Sequence, residues 1–241
     1  LHLSIRRQRQ MCIRDRLVSG ILNDSFLMFR NLGGRSGFED YAQRTGLLMS
    51  TRQLTGWSLG IYDFDNDGWK DLFAACADVQ DNTEKYSGRA SRQSNLLLRN
   101  LGNGTFSPQA LGRPALHRGA AFGDLDRDGS IDIVVSRIGE NPLIVQNTWA
   151  KSQHWLAVEL KGTKSNRAGL GAMVKLTSGS GREQWNRVSS TVGYASSSEP
   201  AAHFGLGNEA IIRSVEVFWL SGTRQRIEGP SPDRYLMVTE P

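Results

Sequence analysis

Residues 62–75 read YDFDNDGWKDLFAA, and residues 122–135 read FGDLDRDGSIDIVV. Each holds a nine-residue loop with aspartate at positions 1, 3, 5 and 9 and glycine at position 6. In the first these are Asp63, Asp65, Asp67 and Asp71 with Gly68; in the second, Asp124, Asp126, Asp128 and Asp132 with Gly129. This spacing lets a tight loop turn four carboxylates inward on one hard cation, and the glycine supplies the backbone angle of the sharp turn. The position-7 carbonyls, from Trp69 and Ser130, would add one ligand to each loop. Four carboxylates in nine residues repel one another without a counter-charge. All-oxygen donors favour calcium over zinc or copper, and a flexible many-oxygen site favours it over magnesium. The expected cofactor is therefore two calcium ions.

Two other readings of these loops fit less well. Solvated Asx-turns could explain one such loop, but two in register at a repeat interval argue against them. An EF-hand needs flanking helices and a glutamate at position 12. Position 12 is Ala74 or Val135 here, and LFAACA (72–77) and IDIVVS (131–136) read as buried strands.

The repetition extends outward. Asp63 and Asp124 are 124 − 63 = 61 residues apart. FLMFRNLGGRSGF (26–38) returns as LLLRNLGNGTF (96–106), with Asn31 and Asn100 separated by 100 − 31 = 69 residues. The intervals differ because one joining segment, 78–94, is long and polar while the next, 137–142, is short. NPLIVQN (141–147) begins a further copy. A period of about 60 residues with several short strands per unit indicates blades or stacked sheets. The 26 glycines of the 241 residues sit mostly beside Asn, Asp, Ser or Gly, as in a turn-dense all-β chain. No run of 18 apolar residues occurs, so no transmembrane helix is expected. Two cysteines, Cys12 and Cys76, cannot build a disulfide scaffold.

The formal charge of +5 is concentrated at one end. Residues 1–16, LHLSIRRQRQMCIRDR, hold five Arg and one Asp; the remainder carries 29 − 5 = 24 basic and 24 − 1 = 23 acidic groups. A basic arm can bind nucleic acid, but this one has no helical or strand period and no apolar core of a signal peptide. It reads as a non-native or disordered leader and is set aside. The balanced remainder, with its acidic loops, argues against nucleic-acid binding.

From about Trp155 the aspartate loops stop and alternating strands begin: WLAVELKG (155–162), GAMVKLTSG (171–179), RSVEVFWLSG (213–222) and RYLMVTE (234–240). Val215, Val217 and Trp219 share one face there. Trp155 and Trp219 are expected in the core, and short strands with Gly-Ser turns read as a compact β-sandwich or barrel.

The apolar lead-in, glycine, D-x-D-x-D-G-x-x-D and hydrophobic strand resemble the FG-GAP/VCBS repeats of integrin-type β-propellers. LLLRNLGNGTF is similar to the lead-in of the branch related to cartilage acidic protein. NRAGLGAMV (166–174), VGYASSSEPAAHFGLG (192–207) and VEVFWLSG (215–222) together resemble the ASPIC/UnbV domain. The resemblance implies an all-β chain: a leader at 1–16, partial propeller blades at 17–150, and a small sandwich-like domain at 151–241. Such propellers have about seven blades, so the sequence is expected to be a fragment.

The expected function is a secreted, periplasmic or cell-surface calcium-binding module, non-catalytic, that serves as a binding or adhesion platform for an extracellular protein or glycan. Alternatives are an attachment region of a larger exported enzyme, or a metal-dependent hydrolase. The hydrolase is disfavoured, because catalytic metals keep an open position with general acids and bases nearby. GLGNEA (205–210) fits a dinucleotide-type glycine pattern but lacks a βαβ setting, and no G-x-S-x-G elbow occurs. His203 reads as a conformational residue beside a glycine-rich turn, and Cys76 as a small buried hydrophobe.

Overall fold

The computed structural model describes residues 16–32, 37–150 and 152–241. Of the expected leader, all but Arg16 lies outside the described residues; Arg16 opens the first strand. Sheet 1 is an antiparallel meander of β1 (Arg16–Val18), β2 (Leu27–Asn31) and β3 (Phe38–Asp40). Two short helices follow, α1 (Ala42–Thr45) and α2 (Leu47–Thr51). Sheet 2 is a four-stranded meander of β4 (Gly56–Tyr62), β5 (Asp71–Cys76), β6 (Gln93–Asn100) and β7 (Phe106–Ala115). Between β5 and β6 the polar segment carries a single turn of helix, α3 (Glu84–Ser87). Sheet 3 contains β8 (His117–Gly123), β9 (Asp132–Arg137) and β10 (Glu140–Val145).

These three sheets stack face to face, which explains the unbroken apolar run in β5. Strand side chains alternate between faces. Leu72, Ala74 and Cys76 point into one core with Phe26, Met28, Ala42 and Leu47 of the preceding unit. Phe73 and Ala75 point the other way, into a core with Phe122, Ile131, Ile133 and Val135 of the following unit. All six residues of β5 are buried as a result. Burial pushes the Cys76 thiol up to about 12, so it stays protonated and packs as a small apolar group.

The C-terminal strands form two further sheets. Sheet 4 runs β14 (Ala202–Gly207), β11 (His154–Lys161), β17 (Arg234–Thr239), with β11 and β17 parallel. Sheet 5 runs β13 (Glu183–Arg187), β12 (Met173–Ser178), β15 (Ile212–Phe218), β16 (Arg224–Glu228). Their facing sides share one core, which includes Leu156, Val158, Phe204, Val215, Val217, Trp219 and Val238. The chain is thus all-β, stacked repeat sheets followed by a two-sheet unit. Trp219 enters the core as expected. Trp155 is buried as well, at 8% exposed, but on the opposite face: on β11 Leu156, Val158 and Leu160 point into this core, so alternation turns Trp155 onto the outer face of sheet 4.

Candidate cation loops

Both aspartate loops connect the first two strands of a repeat sheet, residues 63–70 between β4 and β5 and residues 124–131 between β8 and β9. Their hydrogen bonds repeat position by position. At position 1, Asp63 Oδ2 accepts Gly68 N and Asp124 Oδ2 accepts Gly129 N, both at 2.8 Å. At position 5, Asp67 Oδ1 accepts Trp69 N at 2.7 Å and Asp128 Oδ1 accepts Ser130 N at 2.9 Å. At position 9, Asp71 Oδ2 accepts Phe64 N at 3.0 Å and Asp132 Oδ2 accepts Leu125 N at 2.9 Å. Gly68 and Gly129 adopt φ of +87° and +89°, the left-handed conformation that the sixth position demands.

The loops gather their carboxylates into two clusters. Asp63, Asp65 and Asp71 each place a carboxylate oxygen within 4.8 Å of the others, and so do Asp124, Asp126 and Asp128. Asp67 and Asp132 stand outside these triads; both oxygens of Asp132 accept backbone amides, from Leu125 and Asn147. Ser130 is buried at position 7, and Trp69 at the same position of the first loop carries the Arg182 guanidinium 4.5 Å from its ring centroid.

Either triad could hold a metal ion, and the first contains a carboxylate oxygen that is buried and unbonded. Asp63 is 1% exposed, and its buried Oδ1 has no hydrogen-bond partner. Burial raises the Asp63 carboxyl well above its usual range, although the nearby Lys70 ammonium partly offsets this. Burial likewise pushes Asp67 up to about 6 and Asp71 up to about 7. In the second loop burial raises Asp124, opposed by the hydrogen bond from Tyr235. A bound cation reverses this balance by favouring the ionised form of each carboxyl it touches. Oxygen-only donors with a buried, unbonded carboxylate oxygen fit a hard cation.

Sequence reasoning treated the asparagines of the repeat as markers and missed their task. Asn100 N donates to Asp71 Oδ1 at 2.7 Å, and its Nδ2 donates to Lys70 O at 3.0 Å. Asn147 repeats both bonds, to Asp132 Oδ1 at 2.7 Å and Ile131 O at 3.2 Å. The preceding residue also repeats its role: Arg99 Nε donates to Asp65 Oδ2, and Gln146 Nε2 to Asp126 Oδ2. Each loop is therefore latched to the end of a later strand of its own unit. The signal was present in LLLRN and LIVQN, a polar pair closing an apolar strand, but its distance from the loop hid the contact.

The C-terminal unit covers both loops with the outer face of sheet 4. Alternation places Ala202, Phe204 and Leu206 of β14 in the core and turns His203 and Gly205 outward. Tyr235, paired with Ala157 across β17 and β11, faces the same way. His203 Nε2 donates to Gly129 O at 2.9 Å while its ring stacks on Trp155, with centroids 6.0 Å apart and planes at 12°. Tyr235 donates its hydroxyl to Asp124 Oδ2 at 2.8 Å. His203 is thus a docking residue, more specific than a turn conformer.

The FG-GAP-like repeat family matches residues 63–135, and the ASPIC and UnbV family matches residues 162–241. Cartilage acidic protein 1 from Mus musculus and from Homo sapiens are each 30% identical to the chain over 168 residues, or 66% of this chain. The match covers 25% of the mouse protein and 24% of the human one. The Xenopus tropicalis protein of the same name is 35% identical over 118 residues, 46% of this chain and 18% of its own length. The chain spans about a quarter of the length of the mammalian relatives it matches.

Proposed function

We propose that this chain, which carries an FG-GAP-like repeat and an ASPIC/UnbV domain and is distantly homologous to cartilage acidic protein 1, is an extracellular calcium-stabilised binding module. It holds two calcium ions, one in each aspartate loop, and presents its surface to a protein or glycan partner without catalysing a reaction. Asp63, Asp65, Asp67, Asp71 and the Trp69 carbonyl would hold one ion. Asp124, Asp126, Asp128, Asp132 and the Ser130 carbonyl would hold the other.

The observation that carries this reading is the in-register repetition of both loops down to single hydrogen bonds, with a buried, unbonded carboxylate oxygen in the first. Duplicated loops latched to their own strands serve architecture. Calcium supplies positive charge where burial alone disfavours the ionised acids. Extracellular modules of this type bind with dissociation constants on the order of 10⁻⁴–10⁻³ M, which suits a calcium-rich exterior. No helix among the described residues is long and apolar enough to cross a membrane.

The test is a calorimetric and thermal titration from chelator to calcium in excess of that range. Two binding events with a rise in melting temperature are expected. A folded sample that shows neither heat nor a shift would overturn the calcium assignment. Hydrolysis of phosphate-ester or glycoside reporters that disappears in Asp65→Asn would overturn the non-catalytic reading.

A further inference from the structure

We infer that the outer face of sheet 4 is a built part of both cation loops, so that filling the loops and docking the C-terminal unit are thermodynamically linked. This rests on the calcium reading of the loops. The contacts reach the loops' own atoms. In the second loop, Tyr235 orients the position-1 carboxylate directly, through the bond to Asp124 Oδ2 at 2.8 Å. In the first loop, the counterpart of that carboxylate, Asp63 Oδ2, lies where a side chain on Gly205 would begin: a Cβ there would stand 2.2 Å away. β14 can approach this loop only because the position bears no side chain.

The loop backbones are held as well. Gly207 N donates to Asn66 O at 2.7 Å, and Arg182 Nη2 to Gly68 O at 2.6 Å. Asn66 Nδ2 in turn donates to Gly129 O at 3.0 Å, which joins the two loops to each other. Comparison of the repeats singles out one residue further. Position 8 is Ile131 in the second loop, buried in the core between sheets, but Lys70 in the first. Lys70 is 5% exposed and its Nζ donates across the interface to His203 O at 3.2 Å. An apolar residue serves the repeat itself at this position, so the buried ammonium answers to the docked unit.

A docked sheet that holds these atoms in place lowers the ordering a cation must impose, and a cation that rigidifies the loops steadies the surface on which the sheet sits. By linkage the two effects are equal in size, and couplings of this kind amount to about 5-fold or more in affinity. Tyr235 and Gly205 are positioning residues in this scheme.

The full chain tests it with calcium titration by calorimetry and amide hydrogen exchange at Gly207, whose bond to Asn66 exists only when docked. Calcium is expected to slow exchange at Gly207 in the wild type. Tyr235→Phe should weaken calcium binding by about 5-fold or more, with Gly207 exchanging faster. Gly205→Ala should do the same at the first loop, and Tyr235→Phe, which adds no clash, carries the test if that variant does not fold. If the wild type binds calcium, but Tyr235→Phe binds it equally and Gly207 exchange ignores calcium, the linkage is wrong while the calcium reading stands. If the wild type binds no calcium, the reading falls and takes the linkage with it.

Discussion

Trp155 lays its indole against Gly129, so closely that a Cβ on the glycine would stand 1.9 Å from Trp155 Cε2. Gly129 therefore meets two demands at once, a left-handed φ of +89° and room for the indole of another unit. Gly68 meets the first demand, at φ +87°, but its missing Cβ faces the guanidinium end of Arg182, an unbranched side chain that can shift at the loss of its bond to Gly68 O.

The two glycines should consequently differ in tolerance. Gly129→Ala is expected to destabilise by roughly 2–4 kcal/mol through backbone strain and overpacking, and Gly68→Ala by less, about 1–2 kcal/mol, through backbone strain and the displaced Arg182 contact. Denaturant unfolding of both variants gives the comparison. Equal losses would mean that the Trp155 contact contributes nothing.

Removing an asparagine latch should loosen its own loop. Asn100→Ala or Asn147→Ala leaves backbone groups of a buried loop without side-chain partners, at about 1–3 kcal/mol each. The backbone amides that bond the position-9 aspartates survive the substitution, so calcium binding at that loop should weaken only through the loosened position-8 carbonyl that the side chain held. A thermal melt in calcium and in chelator separates the effects. A variant that loses stability equally in both conditions would show that the latch serves the fold alone.

Asp65→Asn and Asp126→Asn should each remove one calcium event and leave the other. At ten times the dissociation constant, one lost site corresponds to about 1.4 kcal/mol of missing stabilisation. Calorimetric stoichiometry checks this directly. A variant that retains two events would show that its substituted aspartate is not a ligand.

Acid should weaken the docked interface through His203. Its ring is buried, its Nε2 hydrogen is committed to Gly129 O, and its Nδ1 has no partner. Burial, with the Lys70 charge nearby, lowers its pKa from 6.5 to about 4. A depressed folded value means the contribution is complete above the unfolded pKa near 6.5, and it is lost progressively as pH falls to about 4. The full span is on the order of 3 kcal/mol. In saturating calcium, the stability gap between wild type and His203→Gln should narrow across that window. A gap that stays constant would remove His203 as the acid-sensitive group.

Much of this protein was determined locally, and that part was legible. The D-x-D-x-D-G-x-x-D spacing encodes a loop because neighbours in sequence make its hydrogen bonds, as Asp63 does with Gly68. Strand alternation in VEVFW predicted the core placement of Val215, Val217 and Trp219 for the same reason: period 2 is a property of the backbone. The unbroken run LFAACA showed a strand buried on both faces, though not which units would cover it.

Only the tertiary structure decided what lies on the loops. His203 and Gly129 are 74 residues apart, and Tyr235 and Asp124 are 111 apart. Nothing in the local pattern of HFGLG or RYLMVTE distinguishes an outward side chain bound for solvent from one bound for another unit. Alternation fixes which face a residue takes, and the docking of one sheet against another fixes what that face meets. Trp155 sat at strand spacing and was expected in a core; it filled the cleft between units because its neighbours Leu156 and Val158 had taken the inner face.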